Sequence, residues 1–328
     1  MTALVTHVDV ELTAVGTLDV SWIVTGGAVA VDVAHGPTPE TIDHTHAVTL
    51  PAGVLRTTLS DMGEGPHFVS VGAHDQPVTL VAGERRVRFE GLQNFRDLGG
   101  YASAFGGRTK WGKLFRADSL HKLTAGDHLT LARFGLKIVA DLRSDNERLT
   151  HPNPLDSIQY EVIGRPRPTE DNDVPFEFTA VDGEQILRDI YVGTLVHSAE
   201  LFGRLLGSLA LPDALPAVFH CHAGKDRTGM VAALVLLAVG VDREDVLADY
   251  ELTRRYRTLE NQQDSYANMI ERGMSPEAAA GVLATPRWAM EDALDDLAQT
   301  YGGVERFLTG PAAMTAAQID ALRTALVG

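Results

Sequence analysis

The chain has 328 residues, of which 45% are hydrophobic and 22% charged, with a formal net charge of -16 at pH 7 and a single cysteine. That length suits about two domains, and the acidic balance argues against the chain as a whole binding nucleic acid or an anionic membrane surface. One cysteine excludes an internal disulfide, and a reducing compartment is the economical expectation.

The first residues lack a basic n-region and a continuous apolar h-region, so no signal peptide is expected. A cytoplasmic location follows, with secretion by another route left open. Residues up to about 88 then run in short alternating stretches: HVDVELTAV, LDVSWIV, AVAVDVA, HAVTL, VLRTTLS, HFVSVGA, VTLVA and RRVRFEG. Turn formers at Gly26-Gly27, Gly36-Pro37 and Gly63-Glu64-Gly65 separate them. Many short period-2 strands at this spacing predict an antiparallel β-sandwich. LDVSWIV followed by AVAVDVA resembles neighbouring strands of fibronectin type III modules, with Trp22 in the core. His44 and His46 would share one strand face, but without a third ligand they read as surface residues rather than a metal site.

From about Gly91 the rhythm changes. KLFRAD and LKIVADLR read as strands. Between them LTAGDHLTLARFG carries Thr124 as N-cap, Asp127 at N3 and Gly135 as the terminating residue. Two helices, EQILRDIYVGTLV and SAELFGRLLGSLA, lead to LPAVFHC, a continuous apolar run of the kind that forms a central strand covered on both faces. The helix TGMVAALVLLAVG follows. Its apolar run, Met230–Val241, is too short for a membrane span of about 20 residues, and no integral membrane segment is expected. The remainder is helical: Asp242 caps one helix, Ser275-Pro276 and Thr285-Pro286 open two more, and Thr315 with Gln318 forms a capping box for the last.

The lone cysteine lies in HCHAGKDRTG, from His220 to Gly229, at a strand-to-helix junction. A helix N-terminus offers unpaired N–H groups and the positive end of its dipole. Ala223 and Gly224 are small enough for the loop amides from His222 to Arg227 to converge into an anion nest, and Arg227 adds a planar fork for two phosphate oxygens. Thiols in such fields ionise more readily, at pKa values of about 3.5–7.5. Cys221 is thus placed as a nucleophile on a bound phosphoryl group, with Thr228 able to hydrogen-bond the thiolate. No metal or cofactor is required, and inorganic phosphate is the product.

HCHAGKDRTG resembles the protein tyrosine phosphatase signature HCxxGxxR[ST], and more narrowly the bacterial and fungal tyrosine phosphatases with HCxAGKDRTG, a loop shared with secreted mycobacterial lipid- and tyrosine-directed phosphatases. NFRDLGGY (Asn94 to Tyr101), LFRADSL (Leu114 to Leu120), DLRSDNER (Asp141 to Arg148) and ALDDLAQTYGGVERFL match in order. The expected molecule is multidomain. A β-sandwich of fibronectin III or immunoglobulin kind spans residues 1–88. An α/β tyrosine phosphatase-like domain with a helix-rich C-terminal part spans 89–328.

Dephosphorylation also needs an acid for the leaving oxygen and a base for water. Asp226 lies inside the loop and Asp141 ends a strand, where ligands of α/β sheets bind. The resemblance implies that both line the site; spacing does not decide which of them moves the proton, whether they share that role, or whether either only orients an arginine. Lys225 is similar to a residue of lipid-directed members and extends the substrate class from phosphoproteins to phosphoinositides. Asn94, Arg96 and Asp97 would buttress the loop or turn the chain, with His220 and Arg143 in support. Arg254, Arg255 and Arg257 read as a solvated charged face. The resemblance implies a lid over residues 257–283, hinged at Gly273.

The expected activity is therefore hydrolysis of phosphate monoesters, foremost protein phosphotyrosine, through a cysteinyl-phosphate. A dual-specificity or phosphoinositide phosphatase is the nearest alternative. Rhodaneses lack this loop context, and small arsenate reductases carry theirs at the extreme N-terminus. A non-enzymatic phospho-ligand scaffold, with the N-terminal domain docking partners, would retain no reason for Cys221, Arg227 and both aspartates together.

Overall fold

The computed structural model describes residues 3–14, 16–62, 67–155, 160–161 and 183–328, and divides into two units, Met1–Val87 and Arg88–Gly328. In the first, β1 (Leu4–Ala14), β2 (Thr17–Thr25), β3 (Val31–Gly36), β4 (Val48–Leu50), β5 (Arg56–Leu59), β6 (Phe68–Ala73) and β7 (Thr79–Gly83) follow one another. They form two antiparallel sheets, ordered β1-β2-β5 and β4-β3-β6-β7. Alternation decides which face is inside: along β2, Leu18, Val20 and Trp22 are buried while Asp19, Ser21 and Ile23 are exposed. Their inner faces share one apolar core of Val10, Leu18, Val20, Trp22, Val33, Val69 and Val71, the arrangement of a β-sandwich.

Two details differ from the sequence-based reading. His44 and His46 occupy a single 3-10 turn, not a strand, because Asp43 accepts the Thr45 N–H and pairs with His46. Residues 85–91 form no strand of either sheet. The expected turn at Gly63-Glu64-Gly65 lies outside the described residues.

The second unit begins with β8 (Arg96–Asp97), β9 (Leu114–Ala117), α1 (Ala125–Ala132), β10 (Ile138–Asp141) and α2 (Asp145–Thr150). It continues through β11 (Tyr160–Glu161), α3 (Gly183–His197), α4 (Ala199–Leu209), β12 (Ala217–His220) and α5 (Asp226–Ala238). The tail is α6 (Arg243–Tyr256), α7 (Gln263–Glu271), α8 (Pro276–Leu283), α9 (Arg287–Tyr301), α10 (Val304–Thr309) and α11 (Ala316–Leu326). The sheet order is β11-β10-β12-β9-β8, parallel except for β8. This is an α/β unit with a helical C-terminal half.

Every residue of β12 is buried, as its unbroken apolar run requires of a strand covered on both faces. Helix α5 is apolar and buried nearly all round, because it lies between the sheet and α6. Thr124 and Asp127 close a reciprocal cap on α1, and Thr315 with Gln318 does so on α11. Asp242 and Ser275 cap α6 and α8 through side-chain oxygens. Thr285 is one residue too early: α9 starts at Arg287, with Pro286 at the N-cap and no side-chain cap, since the fixed ring of Pro286 sets the entry by itself. No helix among the described residues is long and apolar enough to cross a membrane.

Candidate active site

Parallel pairing aligns the carboxyl ends of three strands. Ala117 of β9, His220 of β12 and Asp141 of β10 share one row, and the loop leaves the middle strand there, at the edge where open α/β sheets bind ligands. Its start is tied to both neighbours: the Leu142 N–H donates to the His220 carbonyl at 2.8 Å, and the Ser119 N–H to the His222 carbonyl at 3.0 Å. Gly224 has φ +66°, and a Cβ there would stand 2.5 Å from the Ala117 carbonyl oxygen. Only glycine fits so close a left-handed turn. Cys221 is buried, at 2% exposure.

A polar buttress grips the loop from behind. Asn94 Nδ2 donates to the carbonyls of Ala223, at 3.3 Å, and Gly224, at 2.9 Å, while Arg116 Nη2 donates to Gly224 at 2.9 Å. Holding carbonyls on one side of planar peptides turns the matching N–H groups to the other. Arg96 donates to Asn94 Oδ1, and Asp249 on α6 pairs with both Arg96, at 3.2 Å, and Arg116, at 2.6 Å. All of these groups are buried. Burial, then the charge of Arg96, brings Arg116 down to about 10, still protonated at neutral pH. The two oxygens of Asp97 accept the N–H groups of Gly99 and Gly112 and close a local turn.

Beneath Cys221, Asn153 donates to His220 Nε2 at 3.0 Å, so the proton sits on Nδ1 and is given to the Cys221 carbonyl at 3.0 Å. Burial keeps His220 below its usual pKa, consistent with a neutral ring. Asp141 is completely buried. Both its oxygens receive the Arg143 guanidinium, at 2.9 and 2.7 Å, and Asn153 adds a third donor. Arg143 in turn reaches Ser119 and the His151 carbonyl. Asp141 thus accepts from Arg143 and Asn153 through both oxygens, the contacts of an aspartate that orients an arginine.

Asp226 is the other aspartate, and it opens α5. Its side chain is 33% exposed, with Oδ1 accepting from the Tyr191 hydroxyl at 2.5 Å and lying 3.4 Å from Lys225 Nζ. Lys225 is not solvated, and the anion it faces is Asp226 of its own loop. It is buried and donates to the carbonyls of Val282 and Ala284, the latter at 2.8 Å, where the end of α8 offers unpaired acceptors. The Thr228 hydroxyl is buried without a partner among the described residues, so the expected bond to the thiol is not made in this structure.

Arg227 carries a carboxylate partner that sequence reasoning missed. Glu147 on α2 receives both guanidinium nitrogens, at 2.7 and 2.9 Å, while Arg227 Nη1 also reaches the Leu142 carbonyl. Burial opposes both charges. The hydrogen-bonded pair outweighs it, bringing Glu147 down to about 2 and raising Arg227, with the Cys221 charge adding to the latter. In the sequence, Glu147 reads as the N3 partner of Ser144 in a capping box, and it does fill that role; the second role leaves no separate mark. Asp249 left a fainter signal, an acid on the buried stripe of Val246, Tyr250 and Thr253. Arg254 and Arg255 are exposed as expected, whereas Arg257 turns inward, 3.7 Å from Asp118.

A cavity of about 350 Å³ opens against Asp226, Arg227 and Glu147, walled by Ile190, Phe202 and Val282 among others. On another side of the loop His121, His151 and His222 cluster, with ring centroids 4.7–6.2 Å apart. Burial, then the neighbouring histidines, brings His121 down to about 4. The expected lid, residues 257–283, contains α7 and α8, and Gly273 between them has φ +90° with open space around it.

Residues 87–328 match the tyrosine phosphatase family. The chain is 28% identical over 276 residues to the triple specificity protein phosphatase PtpB of Mycobacterium tuberculosis, covering 73% of this chain and 98% of that one. It is 31% identical over 202 residues to a tyrosine-protein phosphatase of Nostoc commune, covering 59% and 67% respectively. A Cupriavidus necator protein is 27% identical over 247 residues, covering 73% of this chain and 88% of its own.

Proposed function

The chain belongs to the tyrosine phosphatase family, and on that premise we propose that it hydrolyses protein phosphotyrosine through a cysteinyl-phosphate formed on Cys221. The observation that carries this reading is the loop itself: a buried Cys221 and the Arg227 fork close the two ends of one turn at the carboxyl edge of the central strand. Loop amides and the α5 N-terminus bind the phosphoryl oxygens, and Arg227 spans two of them. The Cys221 sulfur forms a bond to phosphorus as the ester P–O bond breaks. Asp226 gives its proton to the departing oxygen. Water then attacks phosphorus, passing a proton to Asp226, and the S–P electron pair returns to the sulfur as inorganic phosphate leaves.

Asp226 is assigned as the acid over Asp141 because, of the two aspartates, it is the one that lines the cavity. The contact of Lys225 with α8 supports a closed lid, whose opening would free that ammonium for a second anionic group. The named triple specificity of the M. tuberculosis relative supports a broader substrate range as the second reading. The three-plus-four strand division supports a fibronectin III-like docking module at the N-terminus.

The test is turnover of a phosphotyrosine peptide and of phosphoinositides by the purified protein in the presence of a chelator. Cys221→Ser should abolish both while still binding phosphate. Near-normal hydrolysis by that variant would refute the reading.

A further inference from the structure

Two tyrosines touch this site without a part in the steps above. Tyr191 on α3 and Tyr250 on α6 are buried, at 0% and 1% exposure. Their hydroxyl oxygens lie 2.6 Å apart, and that of Tyr191 also lies 2.5 Å from Asp226 Oδ1. A buried phenol keeps its hydroxyl only where the hydroxyl is bonded. Gly229 makes room for the pair, since a Cβ there would approach the Tyr250 ring to 3.0 Å.

Proton counting gives the chain a direction. A phenol has one O–H. Tyr191 donates its proton to the Asp226 carboxylate, so the short contact between phenols requires Tyr250 to donate to Tyr191. Both bonds then polarise one another. Burial, then the Asp226 charge, pushes Tyr191 well above the usual tyrosine range, so this proton stays in place at working pH.

We propose that the Tyr250–Tyr191 relay holds Oδ1 of Asp226 and thereby presents Oδ2 as the oxygen that carries the catalytic proton, making Tyr191 a positioning residue for leaving-group protonation. Oδ1 already accepts from Tyr191 and faces Lys225 Nζ at 3.4 Å, which disfavours a proton there. Oδ2 has no partner among the described residues. In the first step the Oδ2 proton passes to the ester oxygen as the S–P bond forms and the P–O bond breaks. In the second, a proton of the attacking water returns to Oδ2. The inference rests on the reading of Asp226 as the acid.

A general acid matters most when the leaving group is poor. The experiment therefore measures kcat/KM across aryl phosphates from phenyl to 2,4-dinitrophenyl phosphate, for the full chain and for Asp226→Asn, Tyr191→Phe and Tyr250→Phe. Asp226→Asn should steepen the dependence on leaving-group acidity most. Tyr191→Phe should lose about tenfold more on phenyl than on dinitrophenyl phosphate, and Tyr250→Phe should tilt the series the same way by less. Equal losses across the series in both tyrosine variants, or none, would overturn the relay while leaving the acid intact. A flat response of Asp226→Asn would overturn the acid assignment itself. Should Tyr191→Phe fail to fold, the tilt of Tyr250→Phe decides alone.

Discussion

In the proposed mechanism Arg227 receives phosphate, yet it is already bound fork-to-fork by Glu147. A guanidinium held in a fixed plane loses less freedom on meeting a second anion. A lysine offers a point charge and no fork, so Arg227→Lys is expected to lower kcat/KM on aryl phosphates by about 10²–10³, read in steady-state assays at a temperature where circular dichroism shows the variant folded. Glu147 also makes a pH prediction. Its folded pKa, about 2, lies below the ordinary 4.5, so its stabilising effect is complete above about pH 4.5 and is lost as pH falls toward 2. The stability gap between the parent and Glu147→Gln, measured by urea unfolding, should shrink steadily from pH 5 to pH 3. His121 runs the other way in charge but not in sign. With a folded pKa of about 4 against 6.5, it favours the unfolded chain increasingly as pH drops through that window. His121→Gln should flatten this part of the stability curve.

The loop works as an element because its backbone is gripped from behind. Gly224→Ala would drive a methyl group into the Ala117 carbonyl and strain a positive φ. About a hundredfold loss of kcat is expected from the displaced amides, checked alongside phosphate affinity. Gly203 provides a contrast on α4, where a Cβ would meet the Ala312 carbonyl oxygen at 1.7 Å. Gly203→Ala should cost about 3 kcal/mol of stability in denaturant unfolding, with kcat/KM of the remaining folded fraction unchanged. Most of these elements were legible in the sequence: the strand–loop–α5 junction and the caps of α1, α6, α8 and α11. The pairing of Arg116 with Asp249 was not, since it joins residues 133 apart: Arg116 leaves no periodic trace, and the place of Asp249 on a buried stripe does not name its partner. Tyr191 was hidden for a related reason, an ordinary aromatic on an amphipathic helix.

At the scale of the molecule, each unit has its own apolar core, Trp22 and its valines in one and the α5-centred cluster in the other. A chain of residues 88–328 is therefore expected to fold and hydrolyse small aryl phosphates at a rate within a few-fold of the full protein. Circular dichroism and the same assay check this; loss of fold would show that the units are not self-sufficient. Residue order alone determined the alternation that makes a sandwich, the apolar strand that must be central, and the nucleophilic loop, because each is a local pattern of side chains along one segment. Tertiary structure alone decided that Asp141 serves Arg143, that Lys225 meets the end of α8, and that Glu147 and Tyr191 attend the loop. Those outcomes depend on which lone pairs come within reach once distant segments pack, and distance in space is not written in spacing along the chain.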